Sequence, residues 1–159
     1  MENRSLTHWV LVADGGQARL LEVQKRPFGI RQVQKLVSES QHQFSRELDS
    51  DASGRSFNAQ GPSGHSKQPR SDAHDLGEQQ FSRMLVQKLE KAANLGAFDQ
   101  LAIIADPRTL GRLRQQMSKS LAGRVTKELN LDLAGLSLNE LKPRIEASLG
   151  RTLYKTLNP

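Results

Sequence analysis

Two short, continuously apolar runs constrain the fold of this chain most. They read WVLVA at Trp9–Ala13 and LAIIA at Leu101–Ala105. A strand with one solvated face alternates polar and apolar residues, whereas an unbroken apolar run is typical of a strand covered on both faces. The two runs therefore predict central strands of one sheet, and we expect the second to lie parallel to the first.

An antiparallel meander is predicted around the first run. The first strand covers 8–14, and the sequence Asp14-Gly15-Gly16-Gln17 then supplies turn chemistry, because glycine adopts the positive φ angles that hairpin turns require. A second strand follows at 18–24. After another turn, a third strand is predicted at 30–37.

From residue 81 onward, apolar residues recur about every 3.6 positions instead of every two positions, and this period indicates a helix. One face of this helix would carry Phe81, Met84, Leu85, Leu89 and Ala92. Asp75 followed by Glu78 resembles a capping box and predicts that the helix begins there. Gly96 is suited to the left-handed conformation that ends a helix.

Asp106 and Pro107 predict that a second helix begins directly after the run at 101–105. Aspartate is a good N-cap, and proline is favoured at the first helical position. The buried stripe of this helix would consist of Leu110, Leu113, Met117 and Leu121. Gly123 would end it, and 124–129 fits a fifth strand.

The last helix is predicted from a second capping-box match, Ser137 with Glu140. Its apolar stripe would be Leu138, Leu141, Ile145 and Leu149. Pro143 favours a later start, at 142 or 143, because proline disrupts a helix interior. Gly150 would close the helix.

These patterns predict an α/β (α+β) fold. Its mixed sheet has roughly five strands, begins with the antiparallel meander and is flanked by about three helices. With 159 residues the chain is long enough for one domain with a core. We expect that domain at 1–150, with a basic C-terminal tail at 151–159.

The segment Asp49–Asp72 interrupts this pattern. Serine, glycine and proline fill 11 of its 24 positions, so it cannot bury enough apolar surface to offset the entropy of ordering. A structureless segment of this length inside a domain is usually functional or disordered. We predict a flexible contact loop, with contacts from Arg55, Phe57, His65, Lys67 and Arg70. The alternative for Phe57 is that it pins the loop to its own domain.

Positive charge is concentrated after the second apolar run. The chain has a net charge of +6, and residues 106–127 contain six basic residues against the single acid Asp106. A dense basic cluster at a helix N-terminus favours phosphate binding. The predicted phosphate or RNA contacts are Arg108, Arg112, Gln115, Lys119 and Arg124, with Arg108, Arg112 and Lys119 on one outward strip. The alternative is an ordinary solvated helix face.

Several classes of function find little support in the sequence. The chain has no cysteine, and the apolar run at 9–13 is too short for a signal peptide or a membrane span. We therefore expect a cytoplasmic protein without membrane insertion. His65, Asp72, His74 and Asp75 match no metal-binding spacing, so no metal or cofactor is predicted. A hydrolase remains a weaker alternative, because the serine-rich loop has no nucleophile elbow.

Four stretches, in order, resemble the bacterial host attachment protein family. They are THWVLVADGGQARLLEV at 7–23, SGRSF at 53–57, EQQFSRML at 78–85 and FDQLAIIADPRTLGRLR at 98–114. In broader outline the order of elements is similar to the middle domain of archaeo-eukaryotic release factors and Pelota. That similarity implies a mixed five-stranded sheet and a translation-related or RNA-binding ancestry.

The release-factor resemblance also places a catalytic GGQ loop at 49–72. This chain has no GGQ there; its only GGQ, at 15–17, falls in the first predicted turn. Peptidyl-tRNA hydrolysis is therefore not expected. The leading hypothesis is a non-catalytic RNA- or ribosome-binding module. The alternative is a protein–protein interaction or regulatory protein that serves attachment to a host.

Overall fold

The computed structural model of this chain describes residues 5–25, 27–40 and 70–157. The strands are β1 His8–Ala13, β2 Gln17–Lys25, β3 Phe28–Val37, β4 Gln100–Ala105 and β5 Val125–Asn130. The helices within the described ranges are α1 Arg70–Asn94, α2 Pro107–Gln116, α3 Lys119–Ala122 and α4 Leu138–Leu157. Four of the predicted loop contacts, Arg55, Phe57, His65 and Lys67, lie outside these ranges.

The five strands form one mixed sheet in the order β3-β2-β1-β4-β5. Strands β1, β2 and β3 are antiparallel neighbours, while β4 is parallel to β1 and β5 is parallel to β4. The predicted fold class, the meander and the parallel pairing of the two apolar runs are thus confirmed. In the register of the central pair, Ala13 lies opposite Ala105, so both strands end at the same edge of the sheet.

Both faces of the central strands are buried, as their unbroken apolar sequences predict. On one face, residues of α1, α2 and α3 share a core with alternate strand residues; examples are Leu11, Ile103, Phe81, Leu113 and Leu121. On the other face the remaining strand residues pack with α4; examples are Val12, Ile104, Leu141, Ile145 and Leu149. The sheet therefore separates α4 from the other three described helices.

Helix α1 begins earlier than predicted. It extends back to Arg70, so Asp75 and Glu78 lie inside the helix and the predicted capping box at Asp75 is wrong. Residues 70–72, expected in the flexible loop, are helical. The predicted end is confirmed, since Gly96 has a φ of 71°.

The second predicted helix is two helices in the structure. Helix α2 ends at Gln116, and Met117 is extended. Ser118 then caps α3 by accepting a hydrogen bond from the N–H of Leu121 at 3.1 Å. Serine at this position ends one helix and starts the next, because its hydroxyl satisfies an otherwise free N–H group.

Helix α4 begins at Leu138, as its capping box predicts. The N–H of Ser137 donates to Glu140 at 2.8 Å, and the N–H of Glu140 donates to the Ser137 hydroxyl at 3.3 Å. The later start suggested by Pro143 is wrong, because this proline is accommodated within the helix. The predicted end at Gly150 is also wrong. The helix continues to Leu157, with Leu153 buried one turn beyond Leu149.

Candidate functional site

A polar cleft of about 280 Å³ lies at the sheet edge where β1 and β4 end. Its lining comes from the β1–β2 turn, the residues after β3, the first turns of α1 and the start of α2; it comprises Asp14, Gly15, Gly16, Ser38, Ser40, His74, Glu78, Asp106, Arg108 and Thr109. Ligands of open α/β sheets bind preferentially at such an edge. This carboxyl-edge cleft is therefore the first place to look for a site.

Asp14 organises the turn that forms one wall of the carboxyl-edge cleft. Its Oδ1 accepts hydrogen bonds from the N–H groups of Gly16 and Gln17, both at 2.8 Å. Its own N–H donates to the carbonyl of Gln17 at 2.9 Å. The GGQ sequence at 15–17 is thus part of a tight hairpin turn, as its sequence predicts.

Asp106 caps α2 on the opposite wall, which confirms the predicted start of this helix. Its carboxylate accepts hydrogen bonds from the N–H of Thr109 at 3.0 Å and from the Thr109 hydroxyl at 2.7 Å. The positive end of the helix dipole therefore already faces a carboxylate. A second anion at the same place would be repelled by Asp106.

Arg112 lies between α1 and α2 and pairs with two carboxylates, those of Asp75 and Glu78. Only 12% of its side chain is exposed. We name these three residues the Arg112 clamp. The prediction that Arg112 lies on an outward strip is wrong, because Asp75 and Glu78 draw it inward. Arg108 donates to Asp75 at 3.2 Å but keeps 70% of its side chain exposed.

The charges around the carboxyl-edge cleft disfavour phosphate. Three lining carboxylates, Asp14, Glu78 and Asp106, face one lining guanidinium, that of Arg108. The His74 Nε2 lies 3.0 Å from Glu78, which directs this imidazole toward a carboxylate. The predicted cluster of free cations at the start of α2 is thus largely compensated by acids from α1 and from the strand ends.

The predicted contact Arg124, and Arg114 from the same basic segment, are held in tertiary contacts. Arg124 donates to the carbonyl of Phe98 at 2.9 Å and lies 5.9 Å from the centre of the Phe98 ring. Arg114 donates to Glu128 at 2.6 Å. This hydrogen bond, together with the opposite charge of Glu128, raises the pKa of Arg114. Both residues help to hold the fold around β5.

A second concave surface of about 520 Å³ separates α1 from the junction of α2 and α3. We name it the α1–α3 groove; its lining residues are Arg83, Val86, Gln87, Glu90, Gln116, Met117 and Ser118. Lys119 follows Ser118 directly, and Lys119, Gln115 and Arg83 are exposed. Neither Arg83 nor Lys119 forms an ion pair with another described residue.

Residues 9–145 match the family model described as "Protein required for attachment to host cells". This match covers most of the chain. The protein belongs to the host attachment family. It is also similar to the "Uncharacterized protein RP470" of Rickettsia prowazekii (strain Madrid E). The two are 35% identical over 68 residues, which cover 42% of this chain and 45% of RP470.

The structure of this host attachment family protein separates the predicted site residues. Gln115 and Lys119 are each next in the chain to a residue that lines the α1–α3 groove, Gln116 and Ser118. Arg108 lies at the carboxyl-edge cleft, and Arg112 and Arg124 are held by their partners. The backbone of Arg70 lies in α1.

Arg83 is a candidate that sequence patterns did not reveal. It is far from Lys119 in the chain and does not belong to the basic segment at 106–127. The one sequence signal for it is its position on the polar side of a helix whose other side is apolar.

The described residues of the family member contain no group of three side chains suited to hold a metal ion. Within the same residues, no helix has the length and apolar character needed to cross a bilayer.

Proposed function

We propose that this protein is a non-catalytic RNA-binding module that acts in the cytoplasm, on the ribosome or on free RNA. Its phosphate contacts are Arg83 and Lys119 at the α1–α3 groove, with exposed Gln115 beside them. The observation that carries this proposal is that Arg83 lines this concave surface and Lys119 directly follows its lining residue Ser118. Both cations are exposed and have no ion-pair partner among the described residues.

Electrostatics support this choice of surface. A net charge of +6 draws the protein toward polyanions over long range. Close contact with phosphate further requires cations that are not already neutralised, and Arg112 does not meet that condition. Arg108 is exposed but shares Asp75 with Arg112, so we assign it a peripheral contact. Arg124 contributes to RNA binding only indirectly, by stabilising the fold through its contact with Phe98.

The test is a charge-matched pair of double variants. Arg83→Gln/Lys119→Gln removes the two proposed phosphate contacts. Lys142→Gln/Arg144→Gln removes two exposed charges from α4, on the opposite face of the sheet. Both lower the net charge by two. Binding of a fluorescein-labelled unstructured oligoribonucleotide, and sedimentation with ribosomes, are measured between about 50 and 200 mM salt.

We expect weaker binding only for Arg83→Gln/Lys119→Gln. The slope of log affinity against log salt concentration should flatten by about 0.7 for each phosphate of a single strand that the variant no longer neutralises. Equally weakened binding in both variants would mean that net charge alone acts and that the α1–α3 groove is not the site. A parent protein that binds neither RNA nor ribosomes at low salt would exclude the RNA-binding function.

A second candidate, protein–protein interaction, is favoured by one apolar surface. A groove of about 370 Å³ lies between the end of β3 and α1, where Val37, Phe81 and Met84 surround Leu76. Leu76 is 55% exposed and lines this groove with the other apolar residues, and contiguous exposed apolar patches mark protein–protein interaction sites. The family description, attachment to host cells, is compatible with a protein partner.

The protein-partner candidate has its own matched test. If a protein partner is captured from lysate and its capture survives nuclease treatment, Leu76→Asp should abolish that capture. Leu95→Asp should retain it, because Leu95 is 76% exposed and lies at the far end of α1. Loss of all captured material on nuclease treatment would favour RNA binding instead. The more distant similarity to release factors, and the absence of catalysis, remain predictions.

A further inference from the structure

We propose that the α1–α3 groove holds an unpaired RNA base, so that the protein prefers single-stranded RNA whose bases carry an exocyclic amino group. This inference rests on the proposed RNA binding and specifies the kind of RNA that the same surface accepts. It is based on the wall chemistry of the groove, which combines apolar side chains, side-chain amides and cations.

The apolar part of the groove is formed by Val86 and Met117. Val86 is 4% exposed, and Met117 packs against the core of this sheet face. Because Val86 is almost fully covered, the partly buried Met117 supplies most of the apolar surface that a base could contact. A base has two apolar faces and polar edges, and unpaired bases are the ones that proteins can enclose in this way. Arg83, in the lining, and Lys119, next to Ser118 in the chain, would then contact the flanking phosphates.

A hydrogen bond joins the two walls of the groove. The carboxylate of Glu90, on α1, accepts this bond at 3.0 Å from the N–H of Ser118, the cap of α3. The bond occupies Oε1 of Glu90, and the remaining negative charge on this wall would keep a phosphate on the side of Arg83. The volume of about 520 Å³ lies within the range of small-molecule sites. The walls are therefore fixed to each other at one end of an open groove.

Gln116 provides the amide that selects the base. Its Oε1 is shielded from water and accepts no hydrogen bond from the described residues. A buried acceptor without a donor is unfavourable, and the terminal torsion of glutamine is broad. Rotation of the amide toward the α1–α3 groove, which Gln116 lines, would let Oε1 accept from an amino group. Cytosine offers this group at N4, whereas uracil has a carbonyl there.

Oligo(C), oligo(U) and a duplex of the same length are the probes, and Gln116→Leu is the variant. The parent should bind oligo(C) about tenfold more tightly than the duplex, whose bases are not free to enter the groove, and about fivefold more tightly than oligo(U), as expected for one hydrogen bond. Gln116→Leu should remove the preference for oligo(C) over oligo(U). Its free energy of unfolding should stay the same or rise, because the variant removes an unpaired buried oxygen.

Two outcomes would overturn this inference while the RNA-binding proposal stands. One is duplex binding as tight as single-strand binding, and the other is an oligo(C) preference that Gln116→Leu leaves unchanged. If none of the three RNAs binds to the parent, the RNA-binding proposal itself is wrong and this inference falls with it. If Gln116→Leu unfolds, then Gln116→Met, which keeps the side-chain length without the amide, replaces it in the same comparison.

Discussion

The carboxylate of Glu78 occupies the space that a side chain on Gly15 would need. A Cβ atom at Gly15 would lie 2.4 Å from Glu78 Oε1 and 2.6 Å from its Cδ. Glu78 cannot easily move away, because it is also part of the Arg112 clamp. Gly15 thus permits close contact between the β1–β2 turn and α1. The Arg112 clamp in turn connects α1 to α2.

Gly15→Ala should therefore destabilise the protein. The added methyl group forces Glu78 out of its position and weakens its pairing with Arg112, so we expect a loss of about 1–3 kcal/mol in the free energy of unfolding. Urea denaturation followed by circular dichroism measures this loss. Gly111→Ala is the control: a Cβ there meets no atom within 4 Å, and alanine in a helix is favoured over glycine. Equal stability of the two variants would contradict the prediction.

Replacement of Arg112 should have a larger effect than replacement of Arg114. Arg112→Gln leaves Asp75 and Glu78 without their shared cation, and the side chains of Arg112 and Glu78 are only 12% and 16% exposed. We expect a loss of roughly 2–3 kcal/mol, since breaking a buried ion pair leaves an uncompensated charge.

Arg114→Gln is the matched control, because it removes the same group from a pair in which the arginine side chain is 58% exposed. Exposed pairs contribute little. Thermal unfolding of both variants at one ionic strength compares them. A melting temperature for Arg112→Gln no lower than that of Arg114→Gln would mean that the Arg112 clamp does not stabilise the packing of α1 against α2.

The Arg112 clamp also shows how far the sequence could predict this structure. The central strands and the start of α2 follow from local signals, namely unbroken apolar runs and an Asp-Pro cap. Asp75 with Glu78 has the same spacing as Ser137 with Glu140, yet only the second pair is a capping box. Local spacing cannot distinguish them, because the decisive partner of the first pair is Arg112, 34 residues beyond Glu78.

The candidate site was less predictable than the fold for the same reason. Charge clustering along the sequence grouped Arg108, Arg112 and Lys119, but a linear count does not show which carboxylates face them. Acids from α1 neutralise the first part of the cluster and leave Lys119. Arg83 shares a groove with Ser118, the neighbour of Lys119 in the chain, only because α1 packs against the junction of α2 and α3.

Loss of the N-cap of α2 should affect stability by a moderate amount. Asp106→Ala removes the acceptor for the N–H of Thr109 and for its buried hydroxyl, so we expect a cost of about 1–2 kcal/mol. Asp106→Asn should retain most of the stability, because asparagine is also a good N-cap. Chemical denaturation of both variants tests the capping role. The capping role would be contradicted if Asp106→Asn destabilised the protein as much as Asp106→Ala.

The capping box of α4 should give a pH-dependent contribution to stability. Hydrogen bonds from the backbone N–H and from the hydroxyl of Ser137 lower the pKa of Glu140 below its ordinary value. A lowered pKa in the folded state means that the stabilisation is complete above the pKa of the unfolded chain. It is lost as the pH falls through the pKa of the folded chain, below the usual glutamate value of about 4.3.

The measurement compares the parent with Glu140→Gln by urea denaturation at a series of pH values. Glutamine also fits a capping box but cannot ionise, so the advantage of the parent at neutral pH should shrink as the solution becomes more acidic. Glu146→Gln controls for the loss of a carboxylate elsewhere on α4. The carboxyl carbon of Glu140, followed by NMR, should titrate below the usual range. A difference between parent and Glu140→Gln that stays constant down to acid pH would show that the charge of Glu140 does not support the cap.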